Sequence, residues 1–557
     1  MSNMQTNIKH VVHLMLENRS FDSTLGWLRW SGQARPKNHV PALRQNEKEF
    51  YGLVGDEWQP SNSSYFLSHG PFTYKREPIT KITPGNAWDY CEMPPSDPGE
   101  EFDHVQVQLK ASSYAPSKPM GFYIDYLTQY IVGSARDILA VFTPETLPCL
   151  NTLAQRFAVS DMWFSSVPTM TNPNRAFSLC GTSLGRIINN DDLNTYKLCG
   201  QTYGNINNIF SVFNAFNARN PTKPPIRWKF YARWNWHDDI VREPTHPFVP
   251  GWKSWHLGKE AGALCFDATK GKYYTPYMFP KGFDNLTWGG IDTIDGFKRD
   301  VAANTLPDFC YLEPAFFPQA FRASELTDYH PPESVFAGEA FVKDIFNTIT
   351  SNPKVWANTL FIITFDEHGG TYDHVMPPKN AVPPDTNTNP KFDFKRYGVR
   401  VPTILISPWV TAGTIFRAGY YPEVADQKQL PFDHTSVLAT LCKWKGINYQ
   451  NKTQFPDYYL GDRTAVAPTF DNVITNTSNA AVPSLTQHSC SAGLTDVVKR
   501  RELIRAMTRG IADITGQSEA EVAQQGIVED VYDTCKTPAD IEAYFKDLAA
   551  KHGKTWS

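Results

Sequence analysis

The chain has 557 residues, which is enough for one large enzyme domain or for about two to four smaller ones. Its 53 Lys and Arg residues nearly balance 57 Asp and Glu residues, and the net charge of −4 argues against nucleic acid as a partner. No segment approaches the roughly 18 to 20 apolar residues that span a bilayer, and the first residues, MSNMQTNIKH, carry no visible Sec-type signal. The expectation is a soluble protein without a transmembrane anchor.

The cysteine and aromatic content limits the possible types of protein further. Nine cysteines are scattered without a CxxC pair, so most are expected in the core, with one or two disulfides if the protein is exported. Aromatic residues make up 13% of the chain, including 15 Trp and 25 Tyr. This content suits a large aromatic-lined site or an interfacial surface.

The first predicted element is a buried strand that ends in polar residues. Val11 to Leu16 is mostly apolar and is followed at once by Glu17-Asn18-Arg19-Ser20. The same pattern returns where Leu360 to Phe365 runs into Asp366, Glu367 and His368. Two core strands with such polar ends indicate a shared binding partner.

Other segments alternate between strand and helix patterns. Leu147 to Phe157 and Val342 to Ile349 have helical periodicity, whereas Val401 to Ile406 is typical of a buried strand. Apolar strands that alternate with amphipathic helices predict an α/β fold, with a central, mostly parallel sheet between helical layers.

The remaining segments predict the domain organisation. Residues 25–100 and 200–300 have weak periodicity and are expected to be long loop insertions that form the walls of a site. Residues 480–557 are predicted to be a helical C-terminal region with N-caps at Ser518 and Thr537. Residues 1–470 would then form the catalytic domain.

The polar strand ends predict a metal site. Because parallel strands deliver their carboxyl ends to one edge of the sheet, Glu17, Asn18, Asp366 and Glu367 should lie together there. We call these four residues the strand-end group. A single acidic pair more often caps a turn, but two pairs at two strand ends favour a divalent cation, which would relieve their repulsion.

Histidines surround the second strand end. The Gly369-Gly370 step permits a tight turn with positive φ, which would bring His368, Asp373 and His374 to one locus. His330 and His434 also lie beside acidic residues in the sequence. A lone histidine is more often structural, but this number of histidines favours a role at the site.

A third segment, SDMWFSSVPTMTNPNR, contains a candidate nucleophile. Thr171 lies in a turn stiffened by Pro173, ahead of a predicted helix, with Arg175 shortly after it. A hydroxyl beside a metal is a plausible nucleophile, and the helix N-terminus with Arg175 favours a phosphate next to it.

Taken together, these motifs are similar to those of a known family. The chain resembles the phosphoesterase family of bacterial phosphatidylcholine-hydrolysing phospholipases C, plant non-specific phospholipases C and related acid phosphatases, a branch of the alkaline phosphatase superfamily. The resemblance covers about residues 8–470. The matching segments are HLMLENRSFD, FAVSDMWFSSVPTMTNPNR, LEPAFF, TDYHPPESVFAGEAFVKDIF, TFDEHGGTYDHVMPP, GVRVPTILISPW and FDHTSVLATLCKW.

The resemblance implies roles for individual residues. It implies an alkaline-phosphatase-like sheet, a strand-end group that binds metal, and Thr171 as a nucleophile supported by the same metal. Asn174 and Arg175 match the end of the nucleophile motif, and His330, His368 and His434 match histidines near the phosphoryl group. One position departs: some relatives read DPGH where this chain has Asp97-Pro98-Gly99-Glu100, so that histidine contact is missing or is replaced by Asp103 or His104.

The expected activity is a phospholipase C that cleaves glycerophospholipids, with phosphatidylcholine the expected substrate, into diacylglycerol and a phosphorylated head group through a Thr171 phosphoenzyme. The cofactor would be one or more divalent ions, with zinc or calcium favoured and the identity left open. The enzyme would meet a membrane or micelle only transiently. By the resemblance it would be secreted or periplasmic, with a cytoplasmic location as the alternative.

Other functions remain as alternatives. The same site could serve an acid phosphatase that acts on phosphomonoesters. A sulfatase is disfavoured, because its formylglycine derives from Cys or Ser and not from Thr. A noncatalytic lipid-binding module would need only the aromatic insertion.

That insertion contains a cluster of aromatic residues that could bind a head group. Most of the cluster is expected to form a small core, but one or two members could hold a quaternary ammonium by cation–π attraction. The candidate head-group residues are Trp228, Tyr231, Trp234 and Trp236, with Trp252 and Trp255 in the same insertion.

Overall fold

The computed structural model describes most of the chain. The described residues are 2–29, 36–45, 47–66, 74–82, 90–111, 117–129, 134–189, 203–233, 274–315, 326–422, 428–479, 481–486, 515 and 538–552. The predicted caps Ser518 and Thr537 and the aromatic residues Trp234, Trp236, Trp252 and Trp255 lie outside these ranges.

A nine-stranded sheet forms the centre of the described structure, in the order β2-β13-β7-β12-β11-β1-β10-β8-β9. Every neighbouring pair is parallel except the two pairs made by β12, so the prediction of a mostly parallel sheet in an α/β fold is confirmed. The strands are β1 His10–Leu16, β2 Asn38–Val40, β3 Trp58–Pro60, β4 Arg76–Pro78, β5 Thr80–Lys81, β6 Ala140–Val141, β7 Ala158–Ser160, β8 Trp228–Ala232, β9 Ile291–Thr293, β10 Phe309–Glu313, β11 Thr359–Phe365, β12 Thr403–Ile406 and β13 Thr414–Phe416.

Helices flank the sheet and are mostly short. The α-helices are Asn3–Asn7, Phe21–Leu25, Phe102–Gln108, Phe122–Leu127, Pro148–Arg156, Thr171–Cys180, Ile209–Arg219, Tyr274–Met278, Ile294–Ala302, Val335–Ser351, Pro353–Trp356, Thr435–Trp444, Gly461–Val466 and Pro538–Lys551. Single 3₁₀ turns lie at Ser63–Phe66, Tyr90–Glu92, Ala135–Leu139, Pro280–Asp284, Pro456–Tyr458 and Asp471–Val473. Among the described helices, none is both long and apolar enough to cross a bilayer.

The core lies where β1, β11 and β12 meet the helices. All seven residues of β11 are buried, as are six of the seven in β1, which is why these runs are almost continuously apolar. Cys149, Cys180, Cys310 and Cys442 are free and buried, and Cys91 is in a disulfide.

The structure differs from the predicted insertions. Within residues 200–300, Trp228–Ala232 and Ile291–Thr293 are not loop but strands β8 and β9 of the main sheet. Within residues 25–100, Asn38–Val40 pairs with β13 at the opposite edge. Both segments therefore add strands to the central sheet. Of residues 480–557, the described part includes the helix Pro538–Lys551.

Candidate active site

The strand-end group assembles at the carboxyl edge of the sheet. Strands β1 and β11 are parallel neighbours with Leu16 opposite Phe365, so Glu17 and Asp366 leave the sheet side by side. Asn18 follows in a left-handed conformation with φ 58°, and its backbone N–H donates to Asp366 Oδ1 at 3.2 Å. The structure thus brings together the four residues that the sequence predicts at one edge.

Arg175 joins this group to the candidate nucleophile. Its Nη2 forms an ion pair with Glu17 Oε1 at 2.9 Å, and its Nε donates to Asp366 Oδ2 at 3.1 Å. Burial opposes the charge of Arg175, but the Glu17 and Asp366 carboxylates raise its pKa. The guanidinium therefore stays charged between the two strand ends.

Thr171 lies one helical turn before Arg175. It is the first residue of the helix Thr171–Cys180 and is 7% exposed. Residues four apart share a helix face, and a long side chain leans toward the helix N-terminus, so Thr171 and Arg175 both face the strand ends. Within the described part of the chain, nothing hydrogen-bonds to the Thr171 hydroxyl. The positive end of the helix favours an anion at this position.

Asn174 holds the loop that precedes Thr171. Its Nδ2 donates to the carbonyl oxygens of Val167, Thr169 and Met170 at 2.7 to 3.2 Å, and its Oδ1 accepts from the backbone N–H of Val167. Both polar atoms of the Asn174 amide are therefore hydrogen-bonded to backbone groups. The amide of Asn174 therefore holds the backbone that leads into Thr171.

His330 lies beside Asn18, between two further carboxylates. Its Nε2 is 2.9 Å from Asn18 Nδ2 and 3.8 Å from Glu100 Oε2, and its Nδ1 is 3.8 Å from Asp97 Oδ1. Burial lowers the pKa of His330, but Asp97 and Glu100 outweigh it and raise the pKa to about 10. The two carboxylates therefore favour the protonated form of His330.

His368 and His434 both contact residues of the second strand end. His368 Nε2 is 2.7 Å from Gln108 Oε1, and its Nδ1 is 3.3 Å from Glu367 Oε2. His434 Nε2 donates to the backbone oxygen of Asp366 at 2.5 Å. Burial lowers the pKa of His368 to about 3 and that of His434 to about 4, so both are neutral.

Asp373 and His374 do not share a locus with His368, contrary to the sequence-based expectation. Gly369 and Gly370 have the expected positive φ of 57° and 63°, but the chain then turns toward Asp22. His374 Nδ1 is 2.6 Å from Asp22 Oδ2, and Arg400 bridges Asp22 and Asp373 at 2.8 and 2.9 Å. Arg400 offsets part of the charge of the two carboxylates, and the ligand atoms of Asp22, Asp373 and His374 lie within 4.8 Å of one another, close enough to hold a metal ion.

The strand-end group fits a divalent cation. Among the described residues, one guanidinium, that of Arg175, contacts two of its three carboxylates, and burial, followed by the neighbouring acids, raises the pKa of Glu367 well above its usual value. Asn18 Oδ1 and Glu367 Oε1 are buried acceptors without a hydrogen-bond partner among the described residues. Unsatisfied buried oxygens of this kind are what calcium, magnesium or another oxygen-seeking ion would bind.

Several contributors escaped the sequence analysis. Gln108 holds His368 and also donates to Gly99 O at 2.7 Å, and Arg400 anchors Asp22 and Asp373. Asp103 and His104 do not replace the missing histidine: Asp103 pairs with Lys391 at the surface, and His104 pairs with Asp125. Glu100 itself reaches the site, and the unusual DPGE sequence was the only signal of it.

Trp228 and Tyr231 lie in the core, contrary to their assignment to a head-group site. Trp228 begins β8, at the edge of the sheet opposite the strand ends, and its Nε1 donates to Asn214 at 2.9 Å. Tyr231 is fully buried and its hydroxyl donates to Asp300 at 2.6 Å. Both rings are buried: Trp228 packs against Phe210 and Phe283, and Tyr231 packs against Phe297, so neither has an open face for a ligand. Trp234 and Trp236 lie outside the described residues.

Comparison with known proteins places this geometry in a family. The family model described as "Phosphoesterase family" matches residues 8–448. The chain is 29% identical to non-specific phospholipase C6 of Arabidopsis thaliana over 478 residues, which cover 85% of this chain and 73% of that protein. It is 30% identical to phospholipase C B of Mycobacterium tuberculosis over 484 residues, covering 83% of this chain and 77% of that protein.

A solved structure described as a protein in the alkaline phosphatase superfamily, from Vibrio parahaemolyticus, aligns with 69% of this chain and 81% of its own at 11% identity and a TM-score of 0.28. The family match and the phospholipase C relatives confirm the enzyme class expected from the motifs. The chain belongs to the phosphoesterase family and is a phosphoric diester hydrolase.

Proposed function

We propose that this enzyme is a metal-dependent phospholipase C that hydrolyses glycerophospholipids, phosphatidylcholine foremost, to diacylglycerol and a phosphorylated head group through a phosphothreonine at Thr171. One observation carries the proposal. Thr171 begins a helix whose next turn presents Arg175, and Arg175 contacts both Glu17 and Asp366. A hydroxyl, a helix N-terminus and a cation-binding group therefore face one point.

The strand-end group would hold the metal, with Thr171 at or beside it. A bound divalent ion would supply positive charge that favours ionisation of the hydroxyl and offsets charge on the phosphoryl oxygens. The oxygen donors suit calcium or magnesium, whereas zinc would favour a histidine as a further ligand.

The chain's own residues account for the remaining chemistry. Thr171 Oγ loses its proton to solvent and bonds to phosphorus, while the bond from phosphorus to the glycerol oxygen breaks. His330 donates a proton to that oxygen, so that diacylglycerol leaves as a neutral alcohol. Arg175 adds fixed positive charge near the phosphoryl group. Water then cleaves the phosphothreonine, which releases the phosphorylated head group and restores the hydroxyl.

Substitution of Thr171 tests this mechanism. Thr171→Ala should lower turnover by several orders of magnitude while metal and lipid still bind, because only the attacking atom is lost. Thr171→Ser keeps that atom but frees χ1, so partial activity should remain. Rapid quenching with a slow phosphodiester, followed by mass analysis of the peptide that spans Ser165 to Arg175, should find a phosphoryl group on Thr171.

The rival mechanism uses hydroxide from water as the nucleophile and leaves Thr171 as a wall of the site. It predicts only about a tenfold loss in the alanine variant, near 1.4 kcal/mol of barrier, and no phosphopeptide. That pair of results would refute the phosphoenzyme. Comparison of phosphatidylcholine with a phosphomonoester in the same assay separates the proposed phospholipase from an acid phosphatase, and a lipid-binding module would hydrolyse neither.

A further inference from the structure

Tyr274 contacts the first turn of the helix Thr171–Cys180. Its hydroxyl donates to Asn172 Oδ1, and the guanidinium carbon of Arg175 lies 5.9 Å from the centre of its ring. Asn172 directly follows Thr171, the proposed nucleophile, and Arg175 joins this helix to the strand-end group. One side chain therefore touches the helix on both sides of the turn that separates Thr171 from Arg175.

A carboxyl group at the end of another strand holds Tyr274 in place. Thr275, the next residue, donates to Glu313 Oε2 from its backbone N–H at 3.2 Å and from its hydroxyl at 2.5 Å. Glu313 is the last residue of β10, which is the parallel neighbour of β1, the strand that leads into Glu17. The segment that carries Tyr274 is thus anchored at the same edge of the sheet as the strand-end group.

The contacts of Tyr274 are buried and leave the charge of Arg175 unopposed by a further anion. Tyr274 is 2% exposed and Asn172 is 4% exposed, so water is largely kept from the hydrogen bond between them. The face of an aromatic ring attracts a guanidinium without neutralising its charge. A tyrosine can therefore orient Arg175 and still leave its positive charge to act on a phosphoryl group, whereas another carboxylate in its place would cancel that charge.

Asn172 transmits the contact to the backbone beside the nucleophile. Its backbone N–H donates to Asn189 Oδ1 at 2.7 Å, and its Nδ2 donates to the backbone oxygen of Asn189 at 3.2 Å. Its remaining side-chain atom, Oδ1, accepts from Tyr274. The start of the helix is therefore held by Asn189 together with Tyr274.

We infer that Tyr274 is a positioning residue that sets Thr171 and Arg175 for attack on the phosphodiester. This inference rests on the proposed function, since it requires Thr171 to be the nucleophile and Arg175 to lie near the phosphoryl group. The hydroxyl of Tyr274 acts through Asn172, and its ring acts on Arg175. Because a small displacement of a reacting group lowers the rate steeply, both contacts should affect kcat more than KM.

Two substitutions of Tyr274 separate the hydroxyl from the ring. With phosphatidylcholine in mixed micelles as substrate, Tyr274→Phe removes only the hydroxyl and should lower kcat about tenfold, with KM little changed. Tyr274→Leu also removes the ring and should lower kcat about a hundredfold, so that the phenylalanine variant retains part of what the leucine variant loses. Metal affinity, measured by titration, should stay near the wild-type value in both.

Combination with Asn172→Ala distinguishes positioning from a general loss of stability. In that background the acceptor is already absent, so Tyr274→Phe should not lower kcat further, whereas independent effects would add. The matched control is Tyr458→Leu, because Tyr458 is 3% exposed and the guanidinium carbon of Arg219 lies 5.7 Å from its ring centre. This control should lower stability and leave kcat unchanged.

Three results would overturn the inference: a wild-type kcat in Tyr274→Phe, a further fall in kcat when Tyr274→Phe is added to Asn172→Ala, or equal falls in Tyr274→Leu and Tyr458→Leu. If Tyr274→Leu does not fold, Tyr274→Phe and its combination with Asn172→Ala decide the question. A Thr171→Ala variant that loses only about tenfold in kcat would instead reject the proposed function. If Thr171→Ala is inactive and Tyr274→Phe is fully active, the positioning role alone is wrong.

Discussion

Asn174 holds the backbone that leads into Thr171, the proposed nucleophile. It binds three carbonyl oxygens and one N–H of the loop 167–170, which leads directly into Thr171. Val167 and Thr169 are buried, so their backbone groups would be costly to leave without a partner. Asn174 therefore helps to fix the conformation of the loop, together with Thr169, whose hydroxyl donates to the carbonyl oxygen of Ile187 at 2.5 Å.

Replacement of Asn174 by alanine should lower both stability and turnover. We expect a loss of about 1 to 3 kcal/mol in the free energy of unfolding, together with a fall in kcat that exceeds any change in metal affinity. Urea denaturation and metal titration of the same preparation measure the two effects. Asn387→Ala, at an exposed position, is the control and should change neither. If Asn174→Ala retained full kcat, the positioning role would be wrong.

For individual residues, the sequence predicts which side chains belong to the candidate site more reliably than it predicts which residues they contact. The strand-end group could be found because apolar runs mark the strands and the polar residues follow them directly. Arg400 and Gln108 could not be found, because their partners are distant in the chain and depend on how loops fold back. Glu100 was visible only as a departure from DPGH, and its contacts with Asn18 and Glu367 needed the structure.

At the element scale, one helix is capped by another. The helix Pro148–Arg156 has Leu147 as its N-cap residue, which makes no side-chain hydrogen bond. Instead Glu339, from the helix Val335–Ser351, accepts from the backbone N–H groups of Cys149 and Leu150 at 2.6 and 2.9 Å. A buried carboxyl group thus supplies the cap that the local sequence lacks.

Glu339→Ala should destabilise the fold by about 1 to 3 kcal/mol, because two buried N–H groups lose their acceptor. Asp344→Ala, on the same helix but 41% exposed and paired with Lys298, should cost less than about 0.5 kcal/mol.

The loss of stability in Glu339→Ala should also depend on pH. Burial raises the pKa of Glu339 to about 7, so its contribution is fully present below the unfolded-state pKa and is lost as pH rises through 7.

Urea denaturation at about pH 5 and about pH 8 therefore should give a larger difference between wild type and Glu339→Ala at the lower pH. An equal difference at both values would show that the carboxyl group does not gain a proton in the fold. A larger difference at the higher value would show that the ionised form is the better cap.

Strands with a long apolar run were predicted from the sequence, whereas a short strand was missed. The strands β1 and β11 have seven residues each, and the apolar runs located them to within one residue at either end. Strand β8 has five residues, lies among Pro, Asn and aromatic residues, and alternates with Lys229, so its surroundings suggested a loop. Its aromatic residues looked like a ligand site for the same reason, although they pack in the core.

At the scale of the whole molecule, the site is a source of instability that a cation would remove. Glu367 lies near Asp366, Glu17 and Glu100, and burial with Asp366 raises its pKa. A carboxyl group whose pKa is raised in the fold opposes folding at neutral pH, because the ionised form is favoured when the chain unfolds. Metal-free protein should therefore be less stable than the packing of its core would allow.

Glu367→Gln should consequently change stability in opposite directions with and without metal. In the presence of a chelator, the neutral isostere removes repulsion and still offers an oxygen to the N–H of Gly369, so the variant should melt at or above the wild-type temperature. With calcium or zinc added at about 100 times its Kd, the wild type should gain about 2.7 kcal/mol and the variant little, because a ligand stabilises only the state that binds it. The melting temperature of the wild type should rise by on the order of a few degrees, because a large protein has a large unfolding entropy and each kcal/mol therefore shifts its melting temperature only slightly.

Glu101→Gln, at a carboxylate whose side chain is 53% exposed, is the control and should follow the wild type in both conditions. If the wild type melted at one temperature with chelator and with either metal, or if Glu367→Gln responded to metal as the wild type does, the strand-end group would not be the metal site. If metal raised the melting temperature of the wild type and of Glu101→Gln but not that of Glu367→Gln, the carboxylates that destabilise the metal-free protein would be those that bind the cation.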